Sequence, residues 1–251
     1  LAAPSKVDAS WIDESSVALA TVAASDTGVL FPREVSVRKF QTIPSVMAFG
    51  LSAGVRINAL ARSGSDILFV VDTTTIVGGL TLTPRDIAKR AANGVISMHA
   101  TAAALGLPPT TSIDAIAVQS TPTDLLLSIG SAATAGGNAY GSSDVLRWNA
   151  GAVSLFHSAT SLGLPSSVNL VGLDTGPGGN LLASFDSDTV AGGRVIRGGQ
   201  IYEFSALTSI WSEGRSAQAM GFSCVACAIN SFSVVTSGDV IFRSGVESHE
   251  L

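Results

Sequence analysis

Short apolar segments alternate with polar turns along the whole chain, and one arrangement of them recurs five times. Its clearest copy is IDAIAVQSTPTDLLLSI at positions 113–129, which predicts a strand, a short polar turn and a second, more apolar strand. Corresponding segments begin at Val7, Ile57, Val168 and Val225, at intervals of 50, 56, 55 and 57 residues when Ile113 is included. A nearly constant period of this length is typical of repeat architectures.

Each predicted hairpin is followed by two more short strands. The third strand of each unit opens on a polar residue and then alternates, and these opening residues are Glu34, Asp86, Asp144, Gln200 and Asp239. After a turn such as Asn149-Ala150-Gly151 comes a fourth strand, predicted at 45–49, 95–99, 153–157, 208–212 and 246–250. A link similar to Leu105-Gly106-Leu107 then leads into the next unit.

Four strands in each unit of about 50 residues predict an all-β fold, a five-bladed β-propeller with four-stranded antiparallel blades. A solenoid is the main alternative, but its coils are usually shorter. The chain, 1–251, is then a single domain. We expect the first strand of each unit, rich in small residues, to be innermost, and the second to be buried on both faces. We also expect the first and last blades to close by side-chain packing, without sharing a strand.

Three units carry a longer insert between their second and third strands. Each insert spans 14 positions and has a glycine pair at its centre: Gly78-Gly79, Gly136-Gly137 and Gly192-Gly193. We expect the paired glycines to supply positive φ in a tight loop. Three such loops on neighbouring blades would make one face of the propeller asymmetric, which favours a groove there. Tyr140 and Arg194 lie in these inserts and are candidate ligand contacts.

Composition narrows the possible partners and locations. Hydrophobic residues make up 46% of the chain and charged residues 13%, which is enough for a large core and excludes disorder. A net charge of −5, with no cluster of Lys and Arg, argues against nucleic acid. No apolar run reaches the roughly 18 residues of a membrane span. The opening Leu-Ala-Ala-Pro-Ser is typical of sequence near a signal-peptide cleavage site, so we expect a secreted, periplasmic or cell-surface protein, although a trimmed chain would begin in the same way.

One segment resembles a known group of repeats. An apolar strand, a turn with Asp or Asn, a glycine and a second apolar strand ending in Asp follow one another in 168–174 and 178–186. This order resembles NHL-type and gluconolactonase-type propeller repeats of secreted bacterial proteins. The resemblance implies a propeller, and the lactonase-like members imply Asp, Asn and Glu around a central Ca²⁺. Two features depart from it: the 14-position insert, and five predicted units where the lactonase-like enzymes have six blades.

The second residue of the innermost strand is the main candidate for chemistry. This position holds Asp8, Asn58, Asp114 and Asn169, with Ala226 in the last unit. Repeat symmetry predicts one ring of these residues at the mouth of the axial channel. Carboxylate and amide oxygens suit Ca²⁺, and the four positions match the pattern that the resemblance implies. Two alternatives stay open: the side chains cap the strand starts by binding backbone N–H groups, or they line a solvated channel.

Two other motifs receive a structural interpretation. The acids that open the third strands form a second ring, which turn chemistry explains because such side chains bind their own backbone two residues on. The segment Gly50-Leu51-Ser52-Ala53-Gly54 matches the G-x-S-x-G nucleophile motif, which needs a strand before it and a helix after it. Here it lies in an inter-unit link, and it is assigned no catalytic role.

The histidines and cysteines do not combine into a predicted site. His99 and His157 occupy the same position in successive units and are predicted as solvated residues on outermost strands. Cys224 and Cys227 lack the second ligand pair of a zinc site, and residues three apart in a strand face opposite sides. We expect buried thiols, with a disulfide in a turn as the alternative.

The prediction for function is a non-catalytic ligand- or partner-binding module of an exported protein. It would bind a small molecule, a glycan or a protein surface at the channel mouth and the long loops of blades 2 to 4. One alternative is a Ca²⁺-dependent hydrolase of the lactonase or esterase type, whose metal would polarise a carbonyl and activate water. Another is a structural domain of a larger surface protein.

Overall fold

The computed structural model describes residues 41–42, 49–52, 54–212, 214–216, 229, 231–234 and 240–243. All of them belong to the larger of two compact units, Val37–Leu251. The described residues form β-strands and one short 3-10 turn, Pro177–Gly179. The predicted first unit, with Asp8 and Glu34, lies outside the described residues almost entirely. The same is true of Cys224, Cys227 and Ala226.

The predicted units 2, 3 and 4 each form one four-stranded antiparallel sheet, called here blades 2, 3 and 4. Blade 2 consists of β2 (Ile57–Ser63), β3 (Asp66–Val71), β6 (Ile87–Arg90) and β7 (Ile96–Ala100). Blade 3 consists of β8 (Ile113–Val118), β9 (Asp124–Ile129), β12 (Val145–Asn149) and β13 (Ala152–His157). Blade 4 consists of β14 (Leu170–Thr175), β15 (Leu181–Phe185), β18 (Ile201–Ser205) and β19 (Ile210–Trp211). Within each blade the strands pair in chain order, as the sequence predicts.

The inserts form three separate hairpins. Their strands are β4 (Thr75–Val77) with β5 (Leu80–Leu82), β10 (Ala133–Ala135) with β11 (Asn138–Tyr140), and β16 (Thr189–Ala191) with β17 (Arg194–Ile196). The glycine pair forms each turn, with φ of 57° at Gly78 and 82° at Gly79 and similar angles in the other two. Positive φ at both central residues is the type I′ geometry that matches the twist of a hairpin. The prediction of positive φ is therefore confirmed.

The core lies between neighbouring blades. The innermost strands β2, β8 and β14 contact one another in that order, and Ala59, Ala61 and Ala117 at these contacts are at most 1% exposed. Small side chains allow this close approach of adjacent strands. The second strands are the most deeply buried, and all six residues of β9 are buried. Both predictions about the inner half of a blade are confirmed.

A fourth sheet contacts blades 2 and 4. It consists of β20 (Ser231–Val234), β21 (Val240–Arg243) and β1 (Gln41–Thr42), and β1 pairs with β21 in parallel. Because β20 contacts both β14 and β2, the innermost strands β2, β8, β14 and β20 close a ring of four within the part of the chain that the structure describes. The predicted count of five blades is not confirmed.

The strand β1 changes the expected closure. It comes from the predicted first unit and pairs with the last described strand of the chain, whereas we expected no shared strand. The physical reason is that an edge strand presents unpaired N–H and C=O groups, which favour pairing with any strand within reach. A two-residue strand has too little alternation for its pairing to be predicted from sequence.

The links and the hairpins pack against each other. At Gly163, which has φ of 67°, a Cβ atom would lie only 3.0 Å from the backbone nitrogen of Gly192 at the turn of the next hairpin. Gly50 occupies the same position in the link before blade 2, where a Cβ would lie 3.4 Å from Val77. The glycine of the G-x-S-x-G segment therefore belongs to a packing contact between a link and a hairpin, which agrees with its structural interpretation.

Candidate functional site

A β-bulge lies at the start of each of the three innermost strands. The pairing register shifts between Ile57 and Ala59, and at the equivalent places in β8 and β14. A bulge leaves one residue unpaired and changes the direction of its side chain. The bulged residues are Asn58, Asp114 and Val171, all of them half-buried.

This register corrects one position of the predicted ring. In blade 4 the residue equivalent to Asn58 and Asp114 is Val171, whereas the sequence analysis placed Asn169 there. The error is a shift of two residues within the run VNLV. Because side chains alternate with period two, such a shift leaves the apolar pattern intact, and only the strand pairing reveals it.

The Asp114 carboxylate nevertheless accepts hydrogen bonds from two of the other predicted residues, Asn58 and Asn169. Asn58 Nδ2 donates to Asp114 Oδ1 at 3.0 Å, and Asn169 Nδ2 donates to Asp114 Oδ2 at 2.6 Å. Ser112 Oγ adds a third bond, 2.8 Å to Oδ1. Asn169 lies immediately before β14, from where its amide reaches the carboxylate of the preceding blade. Blades 2, 3 and 4 therefore meet in one cluster, and the fourth predicted member, Asp8, lies outside the described residues.

The cluster combines one carboxylate with amides from both neighbouring blades. Hydrogen bonds to an ionised acceptor are short and strong, which fixes the carboxylate between the blades. Asn169 Oδ1, by contrast, is buried and has no hydrogen-bond partner. A carboxylate offers about four lone-pair sites, and three donors bind Asp114 here. The site can thus accept further hydrogen bonds but has few donors left to offer.

The cluster and the hairpins lie at the same end of the blades. In blade 3 this end holds the start of β8, the end of β9 and the hairpin β10–β11 that follows. Adjacent blades are joined there by backbone bonds from Ile113 N to Pro84 O at 2.9 Å and from Leu170 N to Ser142 O at 3.3 Å. The loop that follows each hairpin therefore contacts the innermost strand of the next blade, beside the cluster.

The residue types suit a calcium ion, although the observed hydrogen bonds do not require one. Both amides direct Nδ2 toward Asp114, and Asn58 Nδ2 also donates to Ile113 O at 2.9 Å. Rotating both amides by half a turn would present two amide oxygens beside the carboxylate, a hard-oxygen set. Among the described residues, no three His, Cys, Asp or Glu side chains are grouped as for a metal. The calcium site stays a prediction.

The two predicted loop contacts have different environments. Tyr140 is only 5% exposed and packs in the hydrophobic cluster between blades 2 and 3, together with Leu105 of the link. Its ring is therefore a packing element and presents little surface to a ligand. Arg194 is exposed on β17 and is accessible.

The acids that open the third strands are structural. Asp86 accepts bonds from Thr83 N at 2.9 Å and from Ala102 N at 2.8 Å, so its carboxylate joins the hairpin end to the following link. Asp144 accepts equivalent bonds from Gly141 N and Ala159 N, both at 2.7 Å. For Asp86 and Asp144 the structural interpretation is confirmed, but the partners are three residues before and about 15 after the acid, where we expected a partner two residues on. Glu34 and Asp239 lie outside the described residues.

The two histidines are half-buried at contacts between blades, which corrects the prediction of solvated side chains. His99 Nε2 lies 2.7 Å from Pro122 O, and its ring packs edge-on against Trp148. His157 packs in the same way against Phe204, and burial lowers its pKa. The reason is that each outermost strand leans against the third strand of the next blade, a contact that no pattern within one unit reveals.

One repeated polar contact was not predicted. In blade 3, Arg147 Nε and Nη2 bind the two oxygens of Asp124 at 2.7 and 2.8 Å, and this bidentate bond lowers the pKa of Asp124. Blade 2 has the pair Asp66–Lys89 in the equivalent place, and blade 4 has Asn180–Glu203. A signal was present, because a polar residue opens or directly precedes each second strand and another falls in each third strand.

No protein-family model matches the sequence, and no curated protein matches it. Solved structures with a similar backbone include streptogramin B lyase, with 11% identity and a TM-score of 0.35 over 73% of this chain and 46% of that one. YCF48 bound to a D1 peptide has 12% identity and a TM-score of 0.34 over 76% and 61% of the two chains. A bacterial extracellular domain from B. thetaiotaomicron has 9% identity and a TM-score of 0.35 over 73% and 26%.

The architecture is defined by the strand pairings themselves. The chain spans about half the length of streptogramin B lyase. Within the ranges that the structure describes, no helix has the length and apolar character needed to cross a membrane.

Proposed function

We propose that this chain is a non-catalytic binding module of an exported protein and that it binds its ligand at the end where blades 2 to 4 present Asp114 and the three hairpins. The observation that carries the proposal is the convergence of Asn58 of blade 2 and Asn169 of blade 4 on the Asp114 carboxylate of blade 3. Bulges that re-aim side chains are over-represented next to functional sites. The ligand classes are a small molecule, a glycan or a protein surface.

The free acceptors narrow the ligand chemistry. Asn169 Oδ1 has no partner, and Asp114 carries a negative charge, so a ligand that donates hydrogen bonds is favoured over an anion. Amines, guanidinium groups and sugar hydroxyls are such donors. The histidines and the third-strand acids support a non-catalytic module, because they are engaged in contacts between blades and with backbone N–H groups.

A thermal-shift panel tests this proposal. Alkylamines, guanidinium compounds and neutral sugars would be titrated against the wild-type protein and against Asp114→Ala, since a ligand that binds only the folded state raises the melting temperature. A compound that stabilises the wild type but not the variant is the expected result. Equal shifts for both proteins, or no shift for any compound with the wild type, would overturn the proposal.

A Ca²⁺-dependent hydrolase of the lactonase or esterase type is the second candidate. This is the function expected if the chain belongs to the gluconolactonase-like propellers. Asn169 Oδ1 favours it, because this oxygen is buried without a donor and half a turn of the amide would bring it beside the Asp114 carboxylate as a cation ligand. Asp8, Asn58, Asp114 and Asn169 would hold the ion, which would polarise a carbonyl and activate a bound water.

Calcium titration separates the two candidates. If the ring holds the metal, Ca²⁺ raises the melting temperature, a chelator lowers it, and Asn169→Ala removes the response. A panel of lactones and esters then reports turnover. The absence of any Ca²⁺ shift with the wild type would exclude the second candidate. Failure of both candidates would leave the structural domain of a larger surface protein.

A further inference from the structure

Blades 2 and 4 have the same residue type directly after their second strand, beside the start of the innermost strand. Asp72 follows β3 and accepts a bond from Arg56 N at 2.8 Å, while Asp186 follows β15 and accepts one from Asn169 N at 3.1 Å. In each case the carboxylate binds the backbone just before the innermost strand of its own blade. These two acids therefore stabilise the start of a strand.

Blade 3 has the same backbone arrangement at the end of its second strand but lacks the side chain. Gly130 stands in the equivalent position, and its nitrogen donates to Ser112 O at 3.0 Å. Asp72 N donates to Arg56 O at 3.0 Å and Asp186 N donates to Asn169 O at 3.1 Å in the corresponding places. Gly130 does not have a positive φ, so its backbone does not require a glycine.

The reason for a glycine is the neighbouring carboxylate. A Cβ atom on Gly130 would lie 2.7 and 2.8 Å from the two oxygens of Asp114, and it would also collide with Ser112 Oγ. Contacts this short cannot be accommodated without a shift of the carboxylate. The Asp114 carboxylate thus fills the space in blade 3 that corresponds to the space of the Asp72 and Asp186 side chains in blades 2 and 4.

We propose that Gly130 is the positioning residue of the site: by leaving out a side chain, it lets the Asp114 carboxylate lie between two blades. In blades 2 and 4 the acid stands at the end of the second strand, whereas in blade 3 it stands at the bulge of the first strand. From the bulge it reaches the amides of Asn58 and Asn169, whereas Asp72 and Asp186 bind backbone N–H groups of their own blades. A ligand-binding role of Asp114 rests on the proposed function, but this positioning does not.

A double-mutant cycle tests whether the glycine at position 130 is required by the carboxylate at position 114. Gly130→Asp places a second carboxylate where Asp114 already lies, while Asp114→Val introduces the residue type found at Val171 of blade 4. The combination Gly130→Asp with Asp114→Val reproduces the pattern of blade 4 in blade 3. We expect Gly130→Asp to lower the melting temperature sharply in the wild-type background, and Asp114→Val to recover most of that loss. An equal loss in both backgrounds would overturn the proposal.

A gentler variant keeps the test decisive if Gly130→Asp does not fold. Gly130→Ala is compared with Gly141→Ala, a matched control in which the added Cβ would meet nothing closer than Asp144 Oδ2 at 3.6 Å. Side-chain amide NMR signals of Asn58 and Asn169 report their bonds to the carboxylate. We expect Gly130→Ala to displace both signals and Gly141→Ala to leave them in place. Unchanged signals in Gly130→Ala would refute the positioning role, whereas an empty ligand panel with displaced signals would refute only the binding function.

Discussion

Asn169 Nδ2 lies 2.6 Å from Asp114 Oδ2, although the two residues are 55 positions apart and belong to different blades. With the bond from Asn58 on the other side, the carboxylate connects three successive repeats. The cluster is therefore both the candidate binding site and a hydrogen-bonded connection between blades. Stability and binding can be measured separately at this carboxylate.

Asp114→Ala tests how much these hydrogen bonds between blades contribute to stability. The variant leaves two amides and the Ser112 hydroxyl without their shared acceptor, and hydrogen bonds to a charged group are worth about 1.5–3 kcal/mol. We expect the free energy of unfolding, measured by urea denaturation, to fall by at least the value of one such bond, about 1.5–3 kcal/mol. Thr134→Ala, on the exposed face of the hairpin β10–β11, is the control and is expected to change it by less than about 0.5 kcal/mol. An equal effect of the two substitutions would contradict the role of the cluster.

The pair Asp124–Arg147 predicts a dependence of stability on acid. The hydrogen bond from Arg147 lowers the pKa of Asp124 below its ordinary value of 3.8 in the folded state. The pair therefore contributes stability that is fully present above about pH 4 and is lost as the pH falls through the lower, folded pKa. Arg147→Met is expected to reduce stability at pH 7 and to flatten the loss in acid. Melting curves of both proteins between neutral and acid pH measure this, and parallel pH profiles would contradict it.

His157 predicts a second dependence, in a different pH range. Burial lowers the pKa of His157 below its ordinary value of 6.5, so the unfolded chain binds the proton more readily than the folded one. Stability should therefore fall as the pH drops from above 6.5 toward the folded pKa. Replacing the side chain by an aromatic one that cannot titrate, His157→Phe, removes this term while keeping the ring contact with Phe204. If the denaturation midpoints of the variant and the wild type changed in parallel over this pH range, His157 would not be the source of the pH dependence.

The contact between link and hairpin predicts unequal effects of two glycine substitutions. Gly163 and Gly193 both have positive φ, 67° and 80°, where a Cβ atom costs roughly 1–2 kcal/mol. A Cβ on Gly163 would also lie 3.0 Å from Gly192 N, whereas one on Gly193 would meet nothing within 4 Å. Gly163→Ala should therefore destabilise the protein more than Gly193→Ala in chemical denaturation. The reverse order would show that the link does not pack tightly on the hairpin.

Much of a single blade could be predicted from the sequence because its determinants are local. The alternation of β12, the apolar run of β9 and the glycine pairs of the hairpins each depend on residues a few positions apart. A cross-strand register within one hairpin is set by its turn and its apolar face. The start of β14 was the exception, because its apolar run is compatible with two registers that differ by two residues.

Contacts between blades could not be predicted in the same way. The bond from Asn169 to Asp114, the packing of His99 on Trp148 and the exclusion of a side chain at Gly130 each join residues whose distance is set by how neighbouring sheets approach. The parallel pairing of β1 with β21 also depends on which edge is free once the blades have assembled.

The sequence by itself determined the four-stranded repeat, the glycine turns of the inserts and the candidate residues Asn58, Asp114 and Asn169, since periodicity and turn chemistry act over short stretches of chain. Only the tertiary structure decided that the two amides bind one carboxylate and that β20 contacts both β14 and β2. The physical reason is that each blade is specified by local alternation, whereas the site lies where separate blades meet, and no local pattern encodes the distance between them.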